Sequence, residues 1–142
     1  KFGVVNEKNV LDFARAAIEM FDIRVHGPGE RAGNLSGGNQ QKIILAREIG
    51  DSPDLLIAMQ PTRGLDIGAS SYVRTCMQNL RDRGKGVLLI STDLDEIMQV
   101  SDRIAVMYEG KIMGIVENSA ELKAETLGLM MGGRPVEEVI AE

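Results

Sequence analysis

An α/β fold, with helices alternating with the strands of a parallel sheet, follows from three features of the sequence. Two short apolar runs, Leu55-Leu56-Ile57-Ala58-Met59 and Val87-Leu88-Leu89-Ile90, have the length of strands buried on both faces of a parallel sheet. Between them Val73, Cys76, Met77 and Leu80 recur at helical spacing, which makes a strand–helix–strand crossover. Further on, Glu109-Gly110 places turn chemistry between residues 103–108 and 111–117, which predicts a β-hairpin.

The remaining elements follow in chain order. Val10, Ala14, Ala17, Ile18 and Phe21 lie at helical spacing after an Asn9 cap, so roughly the first twenty residues read as an amphipathic helix. Residues 22–35, with Gly27, Pro28, Gly29 and Gly33, break that pattern and form a loop. Ser36 then caps a helix that runs through Ile43, Ile44, Ala46 and Ile49 and ends at Gly50. The first strand follows Pro53-Asp54 and stops at Gln60-Pro61-Thr62; the next helix stops at Gly84-Lys85-Gly86. A short helix spans 94–100. Residues 120–131 are helix-prone, and Gly132-Gly133-Arg134-Pro135 break that helix before an acidic end to which no element is assigned.

With 142 residues and 44% hydrophobic content, the chain can bury one core and hardly two. It opens at Lys1-Phe2 without an initiator Met or a charged-then-apolar leader, so an excised piece with something upstream is expected. A formal net charge of −5 offers no basic field to nucleic acid phosphates or anionic lipid. The apolar runs fall far short of the ~20 residues needed to cross a bilayer, so no direct membrane insertion is expected and any membrane role runs through a protein partner. The single cysteine, Cys76, and the single histidine, His26, exclude an intrachain disulfide and a Cys/His zinc site, in keeping with a reducing cytoplasm. Cys76 falls on an apolar helix face and His26 in a loop; no metal ligand set emerges.

The chemistry concentrates in Leu35-Ser36-Gly37-Gly38-Asn39-Gln40-Gln41-Lys42. Small residues and a serine open a helix whose first amides lack acceptors, which makes an anion site: the dipole favours phosphate, Ser36 can donate a hydroxyl bond, and glycine lets backbone come close. The same residues also fit an ordinary capped helix, and on residue types alone both readings stand. No Gly-x-x-x-x-Gly-Lys-Ser/Thr phosphate loop occurs; residues 84–86 and 110–112 lack the preceding glycine and read as turns.

Residues 35–42 resemble the LSGGQ signature of ABC ATPases, in the LSGGNQQK dialect of bacterial sugar and nucleoside importers. Residues 54–59 resemble the Walker B strand, Pro61-Thr62-Arg63-Gly64-Leu65-Asp66 the D-loop, and Ser91-Thr92-Asp93-Leu94-Asp95-Glu96 the switch region, in the family's order over about residues 2–133. The resemblance implies the C-terminal part of a P-loop NTPase domain, the second nucleotide-binding half of a tandem importer subunit. Residues 1–50 would form its helical signature subdomain. Residues 51–142 would form a partial nucleotide-binding core with a parallel sheet and a C-terminal hairpin, the phosphate loop lying upstream. The resemblance also implies ATP and Mg as cofactors of the full assembly. The partners would be the opposite nucleotide-binding half, or a homodimer mate, and transmembrane permease subunits at the cytoplasmic face of the membrane. Ser36, Gly37, Gly38 and Asn39 would clamp an ATP held by the opposite half, with Asp66 signalling across the interface; Asp66 merely capping the next helix is the other reading.

The departures matter as much as the matches. The family's Walker B strand ends in Asp-Glu before Pro-Thr, whereas here Met59 and Gln60 stand there, and Thr92 replaces the switch histidine. A thioether and an amide cannot anchor magnesium or accept a proton at neutral pH, though Gln60 can still orient a water. Asp93 is a poor substitute, because a carboxylate facing phosphate is repelled. No catalytic residue is therefore expected in this half's own site, and the segment alone is expected to be inactive and to bind ATP weakly. The missing Asp-Glu pair favours the nucleoside branch. A non-transport ABC ATPase of DNA repair or translation fits poorly with the acidic charge, and a nucleotide-insensitive scaffold fits poorly with the intact signature.

Overall fold

Asn6, not Asn9, opens the first helix of the computed structural model, which describes residues 5–50 and 52–140. The Asn6 side chain accepts the amides of Lys8 and Asn9 at 3.1 and 3.3 Å, so Asn9 lies inside the first turn as a donor. The chain divides into two units, Lys1–Ile90 and Ser91–Glu142.

The first unit contains α1 (Glu7–Met20), a 3-10 turn (Ala32–Asn34), α2 (Gly37–Ile49), β1 (Leu55–Met59), α3 (Ile67–Asp82) and β2 (Gly86–Ile90). Its core takes Phe21 and Ile23 from the end of α1 and the following loop, Leu45 and Ala46 from α2, Leu56 from β1, and Val73, Met77 and Leu80 from α3. The helical spacing in the sequence thus found the buried face of α3, although Cys76 on that face is only half-buried. β1 and β2 pair in parallel, Leu55 opposite Gly86 and Met59 opposite Ile90.

Burial on both faces is not what the strands have. Leu55, Ile57 and Met59 are 57, 60 and 73% exposed, and Leu88 and Ile90 are 50 and 45% exposed, while Leu56 between them is buried. An unbroken apolar run looks the same whether one face or two are covered, because alternation appears only when the open face carries polar residues. Here the open face is apolar.

The second unit contains α4 (Leu94–Val100), β3 (Arg103–Tyr108), β4 (Lys111–Glu117), α5 (Ala124–Met131) and α6 (Val136–Ile140). Glu109 and Gly110 both take positive φ, 46° and 77°, the turn that matches the twist of an antiparallel pair. Ile104 and Val106 on β3 and Leu127 and Met130 on α5 form one buried cluster. Two sequence expectations shift. The helix expected from residue 120 begins at Ala124, since Ser119 and the residues after it form a turn in which the Ser119 hydroxyl accepts the Glu121 amide. The acidic end is not without an element: Val136–Ile140 is helical, and α6 comes so close to β4 that a side chain at Gly114 would run into Val136 and Met130.

Candidate functional site

The first turn of α2 is built as the sequence predicts. Ser36 sits in extended backbone, φ −61° and ψ 154°, and its hydroxyl oxygen accepts the Asn39 amide at 3.4 Å and the Asn39 side-chain N–H at 3.1 Å. Its own proton stays available to a ligand. The amides of Gly37 and Gly38 belong to the first turn and have no carbonyl of their own helix to bond. Ser36 and Gly37 are exposed. An open groove of about 420 Å³ runs beside them, lined by Arg24, His26, Glu30, Asn34, Ser36 and Asn39 among others.

The four residues expected at the nucleotide do not play equal parts. Asn39 turns its carbonyl oxygen onto the Arg24 amide, 2.9 Å, and so ties the loop to the helix instead of offering that oxygen outward. Gln40 likewise donates to the Leu35 carbonyl at 2.8 Å. Gly38 has a packing reason of its own: a Cβ there would stand 2.9 Å from Ala69 Cβ, closer than two carbons can come, and 4.0 Å from an Asp66 oxygen. Gly37 is under no such constraint, its nearest neighbour being Leu65 Cδ2 at 3.8 Å.

Asp66 caps α3, its Oδ1 accepting the Ala69 amide at 2.8 Å. That cap brings the Asp66 carboxylate beside the first turn of α2. At the end of β1, Met59 points to solvent, while Gln60 takes φ 49°, a left-handed conformation that costs a glutamine of order 1 kcal/mol. It is held there by its amide bonding the Ile90 carbonyl at 2.8 Å. No carboxylate stands at either position.

In the second unit Thr92 is exposed just before α4. The Ser91 hydroxyl accepts the Asp93 amide at 3.0 Å, and Asp93 Oδ1 accepts the Glu96 amide at 3.1 Å. Asp93 is a helix cap.

Lys42 is the residue whose part spacing did not disclose. Its ammonium donates to the Asp22 carbonyl at 2.6 Å and the Asp22 carboxylate at 3.0 Å, and lies 4.7 Å from the centroid of the Tyr72 ring. The hydrogen bond and charge of Lys42 hold the Asp22 carboxyl below the usual carboxylate range. Burial, with Cys76 alongside, pushes the Tyr72 hydroxyl up, and burial pushes the Cys76 thiol up. An aspartate twenty residues before a lysine gives no local signal, so only the folded chain shows this pairing.

A parallel strand–helix–strand unit, a serine-capped helix beside an aspartate-capped one, and a C-terminal hairpin make up a fold of the ATP-binding cassette type. The fold superimposes on the ATP-binding cassette MJ0796, solved as a dimer in a post-hydrolysis state bound to ADP and Pi, with a TM-score of 0.68 and 21% identity over 84% of this chain and 52% of that one. No family model matches the sequence. Among curated proteins it is 51% identical over 133 residues to the nucleoside import ATP-binding protein NupA of Lactococcus lactis subsp. cremoris (strain MG1363), which covers 94% of this chain and 26% of that protein. It is 48% identical over 136 residues to the guanosine import ATP-binding protein NupO of Bacillus subtilis (strain 168), covering 96% of this chain and 26% of that protein. The fold is that of the ABC ATPase cassettes, and over nearly its whole length the chain is similar to ATP-binding proteins of nucleoside import. It spans about a quarter of the length of the curated relatives it matches. Among the described residues no helix is long and apolar enough to cross a membrane.

Proposed function

We propose that the segment belongs to the second nucleotide-binding half of a tandem importer ATPase and presents the α2 N-terminus to an ATP held by the opposite half. The observation that carries this reading is the exposed first turn of α2, where the Ser36 hydroxyl and the Gly37 and Gly38 amides stand without acceptors in their own helix, beside the Asp66 cap. That donor set fits the phosphates of ATP. The end of β1 does not fit magnesium, since Met59 and Gln60 offer a thioether and an amide where a hard cation needs carboxylate oxygen. This half's own site is thus degenerate, and the working site needs Ser36 and its neighbours from here and its carboxylates from elsewhere.

Residues 1–50 then act as the signature subdomain and 51–142 as part of the nucleotide-binding core. The uncovered apolar face of β1 and β2 supports a core completed by further polypeptide. The partners are the opposite half, or a homodimer mate, and permease subunits, with the assembly on the cytoplasmic face of the membrane. Nucleosides are the favoured cargo and simple sugars the alternative, a preference supported by the names of the two relatives above. In the intact ATP-binding subunit, Ser36→Arg fills the anion site and lowers ATPase and nucleoside uptake by about a hundredfold or more. Gln60→Ala lowers them by less than about threefold. Equal losses in the two variants would contradict this division of labour.

A further inference from the structure

We propose that Lys42 is a positioning residue that sets the rotation of α2, and so the direction in which Ser36 and Gly37 face; this rests on the reading of that first turn as the ATP-gripping element. The Lys42 side chain is only 14% exposed. A nearly buried ammonium is unfavourable unless it is bonded on several sides, and this one has three partners on two other segments of the chain. Asp22 supplies a carbonyl and a carboxylate just past the end of α1, and Tyr72 supplies the face of its ring from α3. Asp22 itself holds φ 47°, a left-handed conformation that aspartate tolerates better than most residues.

The geometry makes this more than a general brace. Lys42 lies four residues beyond Gly38 on α2, and Tyr72 three residues beyond Ala69 on α3, so Gly38–Ala69 and Lys42–Tyr72 are successive rungs of one helix–helix contact. The first rung has no slack, as no Cβ fits at Gly38. The second fixes the rotation about it. Asn39, three residues before Lys42 and so on the same face, ties Arg24 as Lys42 ties Asp22. With both ties on that face, the Ser36 hydroxyl and the Gly37 amide are left toward solvent.

The test uses Lys42→Met, Lys42→Arg and Ser36→Arg in the intact ATP-binding subunit, with ATPase rates and amide hydrogen exchange. Lys42→Met is expected to lower ATPase about tenfold or more, in keeping with the sensitivity of such sites to small misplacements. Exchange should quicken about tenfold at Arg24 and Asn39, whose amides are bonded, while residues 43–49 stay as they are. Lys42→Arg, which keeps the cation and stacks on an aromatic face, should recover most of both. The inference is overturned by unchanged exchange at Arg24 and Asn39, by an increase spread evenly along α2, or by no recovery with arginine. Should Ser36→Arg leave ATPase intact, the reading of the site fails instead, and the exchange pattern still decides whether Lys42 orients α2.

Discussion

The two units each cover one face of a two-stranded sheet, and they do so by different means. In the second, β3 and β4 meet α5, Leu127 and Met130 are fully buried, and α6 seats against Gly114. In the first, α3 buries Val73, Met77 and Leu80, and five apolar side chains of β1 and β2 remain open on the sheet, as Met107, Ile112 and Ile115 do on β3 and β4. The unit that carries the serine-capped α2 packs α3 on its sheet, whereas the other packs α5 and α6 on its own.

The sharpest way to break this contrast is Leu127→Ala. Emptying a fully buried leucine site costs about 2–5 kcal/mol, so urea unfolding should show a loss of that size, with the fastest exchange in β3, β4 and α5. A loss under about 1 kcal/mol would mean that the second unit has no core of its own. A smaller effect is expected at Gly38. Gly38→Ala forces α2 away from Ala69 and costs about 1–3 kcal/mol by overpacking, and adding Ala69→Gly should restore most of it. Failure of the double change to restore stability would free Gly38 from its packing role and return it wholly to ligand contact.

The smallest effect lies at the start of the sheet. Lys85 bonds Asp54 at 2.7 Å and holds its carboxyl below the usual range. A depressed carboxylate contributes stability above its unfolded pKa that disappears as pH falls through the folded value. The melting temperature of Asp54→Asn should therefore sit slightly below that of the parent at about pH 6, with the gap closing below about pH 4. A gap that persists into acid would show that the ion pair contributes nothing at the sheet. The exposed surface of Asp54 keeps the effect small.

Much of the fold was legible because its signals are local. Ser36 as a cap, the strand at 55–59, the helix face through Val73 and Met77, and the Glu109-Gly110 turn all declare themselves within a few residues. Capping assignments fail when two candidates lie close together, as Asn6 and Asn9 do, since either oxygen could reach the free amides. The α6 helix went unseen because the residues before it, Gly-Gly-Arg-Pro, break helices, and the last turn is held by its seat on β4. At the first turn of α2 the Ser36 cap was legible, but the inward turn of Asn39 and the pairing of Lys42 with Asp22 were not.

Residue order alone dictated the sequence of elements, the likeness to the ABC signature, and the absence of a carboxylate at Met59 and Gln60, because each is a matter of neighbours along the chain. Only the folded chain decided that Gly38 must meet Ala69, that Lys42 must hold Asp22 and Tyr72, and that one face of the sheet stays bare. The physical reason is the same in each case: these contacts join residues about twenty or more positions apart, and no spacing within a segment encodes how two segments approach.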